Sequence, residues 1–408
     1  MADLDSRTRW AEKQAEEILS VPFIAEFVFR SPQMLDGTQK EIADLLILFK
    51  GTGILVSKKA QEDPLSRDDR KNELWTLKAA KNGVRQLLGA LRPSTRPIWC
   101  EHLRRGRVDF PTGLPPITHG IVIVETFRPV DLQPAAADLP LAQGNVPLTY
   151  ISINDFLNVA TQLRTVPELL RYLEARRELP ETALRRIGEE QPILEFYLLH
   201  ETLRHCSGHE LAKRATAVES DRLDEILQRM DEYKHFSTLM EHVGHELATR
   251  SASCLERLSP ELTAMYDASE KRQNYILMQE VIADLPLRER AELGLQFDTV
   301  SRRVEGESKG YAQAAAHLDS RPDWVFVFGA SRGWEREGML RCMPTTMRAA
   351  LAHYGKQKCM MVIDRDAVGY EVGMLWAQPS FTPAIADILN GQKLFGNLRV
   401  ASVPVEGF

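Results

Sequence analysis

The chain has 408 residues, of which 44% are hydrophobic and 26% are charged, values typical of folded globular proteins, so a largely disordered chain is excluded. Its 51 Lys and Arg residues against 57 Asp and Glu residues give a net charge of −6, which argues against polyanion binding through overall charge. No apolar run reaches the roughly 18–20 residues of a membrane helix and the first residues form no signal segment, so we expect a soluble, cytoplasmic protein without a membrane partner.

The first part of the chain shows a clear succession of apolar and polar segments. Apolar residues at helical spacing predict a first helix over residues 10–19. Ile-, Val-, Leu- and Phe-rich runs predict three strands, and Ser31-Pro32 is expected to end the first of them. A second helix and a further strand complete the order helix, three strands, helix, strand. The three strands are predicted at 23–29, 42–49 and 53–57, with a hairpin at 50–53. The second helix is predicted at 72–91 and the further strand at 119–125.

The rest of the chain changes character twice. Residues 126–147 contain four prolines and predict a surface loop, after which a strand at 150–153 precedes a helix capped by Asn154 and Asp155. Residues 160–300 follow a helical pattern, and the remainder is mixed, with strands at 324–328 and 360–363 and a helix near 346–354. We therefore predict an α/β fold with three domains: residues 1–178, a helical region 179–305, and a small α/β domain 306–408.

Positive charge is concentrated near the N-terminus. Residues 1–110 carry 19 basic and 16 acidic side chains, a net charge of +3, which leaves −9 for the remainder. Residues 71–107 hold nine basic residues against only Glu73 and Glu101. A local basic segment can bind a polyanion such as nucleic acid even on an acidic protein.

Three polar residues stand on the predicted hairpin of the second and third strands. Asp44 interrupts the apolar second strand, and Ser57 and Lys59 end the third. Because side chains alternate along a strand, Ser57 and Lys59 share one face, and the hairpin can bring that face beside Asp44. A carboxylate, a short oxygen ligand and a lysine that converge in this way can hold a divalent metal and steady an attacking water. Such a group suits phosphodiester hydrolysis.

These residues and this order of elements resemble the PD-(D/E)XK nuclease superfamily, whose restriction-endonuclease-like core has the order αβββαβ. The resemblance covers roughly residues 8–126. Glu12 matches the acid of the first helix in Mrr-like and NERD-like members, since small or apolar residues follow three, six and seven positions later. Asp44 matches the aspartate of the second strand, Lys59 the lysine of (D/E/Q)-x-K, and Gln86 the glutamine of the next helix.

The chain departs from this family at Ser57, where most members have an acid or a glutamine. Some restriction enzymes with serine there recruit a glutamate about fourteen residues past the lysine, and Glu73 lies fourteen residues after Lys59. The resemblance therefore implies that Asp44 with Glu73 or Glu12 binds Mg²⁺ or Mn²⁺. Lys59 would orient the water or stabilise the phosphate, and Gln86 would support the geometry.

The function implied by the resemblance is a metal-dependent endonuclease, on DNA rather than RNA, in restriction or phage defence. The region after the nuclease-like domain would serve recognition, regulation, homo-oligomerisation or binding of a partner protein. The alternative is a catalytically inactive scaffold or nucleic-acid-binding protein with the same fold, which the serine at position 57 and the acidic remainder of the chain favour.

A basic stripe is predicted on the second helix. Lys78, Lys81 and Arg85 recur at i, i+3 and i+7, so they line one helix face and, with Trp75 nearby, could follow a phosphate backbone. An ordinary solvated basic face explains the same pattern equally well.

Two further sequence patterns partly match other kinds of site, a serine hydrolase motif and a metal site. Gly329-Ala-Ser331-Arg-Gly333 matches G-x-S-x-G, but a hydrolase triad needs an acid and then a histidine after the serine, and the last histidine is His353. Histidine and cysteine residues at 205–209 and 242–245 have metal-like spacings, yet no second pair lies at a diagnostic distance. The five cysteines form no CxxC pair, which argues against a disulfide framework.

Overall fold

The computed structural model divides the chain into two compact units, residues 1–226 and residues 227–407. The three domains expected from the sequence remain a prediction. The predicted first helix, with Glu12, lies outside the residues that the structure describes. Those residues are 26–35, 41–61, 68–91, 96–102, 106–126, 128–133, 139–200, 203, 217–250, 268–365, 369–377 and 393–395.

The first unit is built on a mixed eight-stranded sheet with helices against it, which confirms the expected α/β class. Its strands are β1 Val28–Met34, β2 Leu45–Phe49, β3 Thr52–Lys59, β4 Ile98–His102, β5 Gly106–Phe110, β6 Ile117–Val124, β8 Ala142–Gln143 and β9 Val146–Ser152. They lie in the order β5-β4-β1-β2-β3-β6-β9-β8. The short strands β7 Val130–Asp131 and β10 Arg186–Ile187 pair separately.

The middle of this sheet combines antiparallel and parallel pairing. Strands β1, β2 and β3 form an antiparallel meander, whereas β6 runs parallel to β3 and β9 runs parallel to β6. Helix α1 (Asp69–Ala90) connects β3 to the segment that leads to β6, as parallel strands require a crossover. Its apolar residues pack against the sheet because Ala79, Ala80, Val84 and Leu87 recur at helical spacing and are buried.

Among the described residues of this unit, β9 is followed by the helices α2 Ile153–Leu163, α3 Val166–Arg176, α4 Glu181–Leu184 and α5 Glu190–His200. The start of α2 differs from the sequence prediction. Ser152, rather than Asn154 or Asp155, is the N-cap, since its Oγ accepts a hydrogen bond of 3.1 Å from the backbone N–H of Asp155. Serine fits this position because its short side chain reaches a free N–H of the first turn.

The first strand also differs from its prediction. Strand β1 begins at Val28 and continues through Ser31-Pro32, where the sequence predicted its end. Ser31 has a φ of +43°, and the pairing of β1 with β4 shifts between Arg30 and Gln33. One extra residue is thus accommodated as a bulge, and the strand continues beyond the proline.

The predicted hairpin between β2 and β3 is confirmed. Phe49 pairs with Thr52, so the loop is the dipeptide Lys50-Gly51, and both loop residues have positive φ values, +47° and +78°. This is the geometry of a two-residue hairpin turn whose twist matches the flanking strands. The turn therefore fixes which residues of β2 and β3 lie opposite each other.

The second unit contains a four-stranded sheet whose strands lie side by side in chain order; the middle two are parallel and the outer pairs are antiparallel. Strands predicted at 324–328 and 360–363 and the helix near 346–354 are confirmed within it. Its elements, with the long helix that precedes them, are α6 Ala217–Arg250, α7 Ala268–Ala283, α8 Leu287–Arg302, β11 Gly310–Ala316, β12 Trp324–Arg332, α9 Arg336–Tyr354, β13 Lys358–Asp364 and β14 Tyr370–Trp376. Among the helices so described, none is long and apolar enough to cross a membrane.

Two helical glycines predict opposite responses to alanine. A Cβ at Gly294 of α8 would overlap the backbone oxygen of Phe236 in α6, so Gly294→Ala should lower the free energy of unfolding by about 1–3 kcal/mol. Gly89 of α1 is exposed, with no atom within 4 Å of such a Cβ, so Gly89→Ala should raise it by about 0.5–1 kcal/mol. Urea unfolding of both variants measures the difference, and stabilisation by both would contradict the close helix contact.

Candidate functional site

Asp44 lies immediately before β2, opposite the end of β3. Its Oδ2 accepts a hydrogen bond of 2.6 Å from the backbone N–H of Lys58, while its own N–H donates to the oxygen of Val56 at 3.1 Å. The carboxylate therefore takes the place of a backbone acceptor where the β2–β3 pairing ends. Its other oxygen, Oδ1, takes part in no hydrogen bond with the described residues, and the side chain is 29% exposed.

Lys59 and Gln86 extend this group. The Lys59 ammonium donates to Gln86 Oε1 at 2.7 Å and lies 3.4 Å from Asp44 Oδ2. Ser57 Oγ donates to the same Gln86 oxygen at 2.8 Å. The structure thus brings together four residues that the sequence analysis singled out, on the face of β3 that α1 covers. We refer to Asp44, Ser57, Lys59 and Gln86 as the strand-end cluster.

Gly83 permits the close contact between α1 and the sheet, and this contact places Gln86 beside Ser57 and Lys59. A Cβ at this position would lie 2.6 Å from Val122 Cγ1 and 3.4 Å from Ser57 Oγ. A side chain here would push the helix away from β3, because buried atoms cannot approach so closely. The sequence analysis missed this role, and the only signal was a glycine in the middle of a predicted helix.

The four members of the cluster differ in their access to solvent. Ser57 is fully buried, so its hydroxyl supports Gln86 rather than facing a ligand. Asp44 and Lys59 keep 29% and 25% of their side chains exposed. One carboxylate and one ammonium are therefore available at the surface, and a negatively charged ligand that reaches Lys59 would also meet the free oxygen of Asp44.

Glu73 is not part of the cluster. It is exposed on the first turns of α1 and precedes Gln86 by thirteen residues, about 20 Å along the helix axis. A glutamate side chain does not span that distance. Nor do any three His, Cys, Asp or Glu side chains within the described part of the chain lie close enough to hold a metal ion. Asp44 is the one carboxylate that the described residues place in the cluster, and Glu12 lies outside them.

The predicted basic stripe lies on the solvent side of α1. Lys78 and Arg85 are exposed and Lys81 is half-buried. At about 100° per residue, the three lie opposite the face that α1 packs against the sheet. Gln86 projects roughly a quarter turn away from the stripe, so the stripe borders the cluster without contacting it.

Glu125, directly after β6, is a buried carboxyl that the sequence analysis did not consider. Its side chain is 3% exposed, and Oε2 accepts a hydrogen bond from the backbone N–H of Gln61. Oε1 is buried and has no hydrogen-bond partner among the described residues. Burial raises the pKa of this carboxyl, against the opposing effects of the Gln61 N–H and the charge of Lys58.

The serine of the G-x-S-x-G motif does not occupy a nucleophile turn. Ser331 lies within β12, and the positive φ in this segment belongs to Gly333, at +65°. In an α/β-hydrolase the nucleophile itself occupies the sharp turn between strand and helix. The neighbouring Arg332 forms an ion pair with Asp364, with Nη2 3.0 Å from Oδ2. The histidine and cysteine residues at 205–209 lie outside the described residues.

Comparisons of the chain with models of known protein families, with curated proteins and with solved structures give no match.

Proposed function

We propose that this chain is a metal-dependent nuclease that hydrolyses phosphodiester bonds, with DNA rather than RNA as its substrate. The observation that carries the proposal is the strand-end cluster, in which Lys59 lies within contact distance of both Asp44 and Gln86. Strands β1, β2 and β3 form an antiparallel meander and β6 runs parallel to β3, as the PD-(D/E)XK resemblance implies, and this pairing supports the proposal. The order along the chain differs from the expected one, because β4 and β5 lie between α1 and β6 and extend the sheet beside β1. The same resemblance extends the proposal to restriction or phage defence.

Lys59 would act on the phosphate. Its ammonium is held by Gln86 and Asp44 on one side and is partly exposed on the other. In phosphodiester hydrolysis, negative charge builds up on the phosphate oxygens in the transition state, and a fixed cation stabilises that charge. The fixed position matters because a cation already held in place needs no reorganisation when the charge develops.

The residues present fit a divalent cation only in part. Mg²⁺ is often held by one or two carboxylates together with water and substrate phosphate oxygens, and Asp44 supplies one carboxylate oxygen that the described residues leave free. Glu12 is the candidate for a second. A cation held there would polarise the phosphate and lower the pKa of a water molecule.

The alternative is a nuclease-fold protein that binds nucleic acid without cleaving it. Its support is the burial of Ser57, whose hydroxyl donates to Gln86, at the position where most members of the family have an acid or a glutamine. The exposed Lys78 and Arg85 would supply phosphate contacts.

The test is a time course with plasmid and single-stranded DNA in Mg²⁺ and in Mn²⁺, with wild type and Asp44→Asn. Asparagine retains an oxygen for the Lys58 N–H but removes the charge, so the fold should survive while metal-dependent cleavage falls at least about 100-fold. Asp284→Asn is the matched control, because Asp284 is also a half-buried, ion-paired aspartate, 24% exposed, and lies in the second unit. It should cleave as the wild type does.

Two outcomes would overturn this proposal. Cleavage that survives Asp44→Asn would remove the cluster as the active site. Failure of folded wild-type protein to cleave in either metal, together with DNA binding that weakens with salt and with the Lys78→Gln/Arg85→Gln double variant, would establish the inactive alternative.

A further inference from the structure

The hydrogen bonds around Glu125 fix the chain directly after Lys59. The backbone N–H of Glu125 donates to the oxygen of Lys59 at 3.0 Å, and its carboxylate accepts from the N–H of Gln61. Glu125 thus contacts the chain on both sides of residue 60. Beyond it, Gln61 Nε2 donates to Asn72 Oδ1 at 2.9 Å, which ties the same segment to the first turn of α1.

The Glu125 carboxylate adds one hydrogen bond to the β3–β6 pairing beyond the last backbone hydrogen bond. Strands β3 and β6 are parallel and paired through Lys59 and Val124, the last residue of each. The next N–H on the β3 side, that of Gln61, meets the Glu125 side chain instead of a backbone oxygen. The pairing of the two strands is thereby extended to Glu125, one residue past the end of β6, and to Gln61, two residues past the end of β3.

Burial of the Glu125 carboxyl is energetically unfavourable. Glu125 is 3% exposed, and its Oε1 has no hydrogen-bond partner among the described residues. Burial of a polar group without a partner is unfavourable, so stability alone does not account for the residue. What the carboxylate achieves is local: it holds the strand end from which the Lys59 side chain starts.

We propose that Glu125 is a positioning residue for Lys59, which extends the β3–β6 ladder and so holds the lysine where its ammonium meets Gln86 and Asp44. This inference rests on the proposed nuclease function as far as catalysis is concerned. The placement of the lysine can be measured without it. The ammonium lies 2.7 Å from Gln86 Oε1, and a shift of about 1 Å at its root would break that contact and misalign the charge.

The first arm of the test is kinetic, on the full-length protein with plasmid DNA in Mn²⁺. Glu125→Ala should lower kcat about 10- to 100-fold with little change in KM, since the lysine is misplaced but the binding surface remains. Glu125→Gln keeps an acceptor oxygen for the Gln61 N–H, so it should restore kcat to within about threefold of wild type. Equal loss in the two variants, or no loss in either, would overturn the proposal.

The second arm measures the environment of the Lys59 side chain by NMR and does not depend on activity. In protein labelled with ¹³C-lysine, the Lys59 Cε resonance is assigned by its disappearance in Lys59→Met. Glu125→Ala should shift or broaden this resonance, whereas Glu125→Gln should leave it in place. Glu241→Ala is the control, because Glu241 is another buried carboxyl, 2% exposed, in the second unit. An unmoved Lys59 resonance in Glu125→Ala would overturn the proposal, and absence of cleavage with a shifted resonance would overturn only the nuclease function.

Discussion

Replacement of Lys59 by methionine is expected to lower metal-dependent DNA cleavage about 10²- to 10³-fold while the protein stays folded. The methionine keeps most of the aliphatic length of lysine but cannot donate to Gln86 or offset charge on a phosphate. Losses of this size are typical when one fixed donor to a transition-state charge is removed. Fold should survive because Lys59 is 25% exposed and its ion pair with Asp44, at 3.4 Å, contributes little to stability.

The measurement is the initial rate of plasmid nicking, with circular dichroism as the test of folding. Lys234→Met is the matched control, since Lys234 is also partly buried, at 18% exposure, and pairs with an aspartate, Asp231, in the second unit. Lys59→Arg should recover only part of the rate, because the planar guanidinium cannot take the place of a compact ammonium between Gln86 and Asp44. A Lys59→Met protein as active as the control would exclude Lys59 from the reaction.

Replacement of Arg176 by methionine is expected to lower the free energy of unfolding by about 3–5 kcal/mol. Arg176 and Glu190 are 1% and 3% exposed and form a two-pronged ion pair, Nε to Oε1 at 2.6 Å and Nη2 to Oε2 at 3.0 Å. The arginine also donates to the backbone oxygen of Tyr150, and Tyr172 donates to Glu190. Removal of the arginine leaves a buried carboxylate with a single remaining hydroxyl partner, which is why the loss is large.

Two companion variants identify the cause of that loss. The double variant Arg176→Met/Glu190→Leu should recover much of the stability, since a packed apolar pair avoids the cost of the unpaired charge. Arg177→Met should change stability by no more than about 0.5 kcal/mol, because Arg177 pairs with Glu174 at the surface, both about half exposed. Urea unfolding followed by circular dichroism compares all three, and a double variant no better than the single one would show that lost packing, not the stranded charge, dominates.

The meeting of Asp44, Ser57 and Lys59 was predictable because it follows from local rules. The dipeptide Lys50-Gly51 sets the register of the hairpin, and the two-residue period of a strand then decides which side chains share a face. Gln86 was expected only through the family resemblance. Its contact depends on how closely α1 approaches the sheet, which spacing along the helix cannot reveal.

Other features depend on contacts between segments distant in sequence. Strand β5 is short and largely exposed at the edge of the sheet, so the alternation of Val108 and Phe110 with Arg107 and Asp109 is too brief to distinguish it from a loop. Ser31-Pro32 predicts a strand end by its local preferences, but pairing with β2 and β4 holds the strand together through a bulge. Glu73 has the right spacing from Lys59, yet it lies on the first turns of α1, about 20 Å along the helix axis from Gln86. A lone acid after an apolar run, such as Glu125, resembles an ordinary exposed strand end.

The hydrogen bond from Ser57 to Gln86 makes the cluster an epistatic unit. Gln86 Oε1 accepts from both the serine hydroxyl and the lysine ammonium, so the amide is oriented by two donors at once. An acid introduced at position 57 would place a carboxylate against that oxygen, and a flip of the amide to relieve the repulsion would take the acceptor away from Lys59. Positions 57, 59 and 86 therefore cannot change independently, and an acid at position 57 requires a coordinated change at more than one of them.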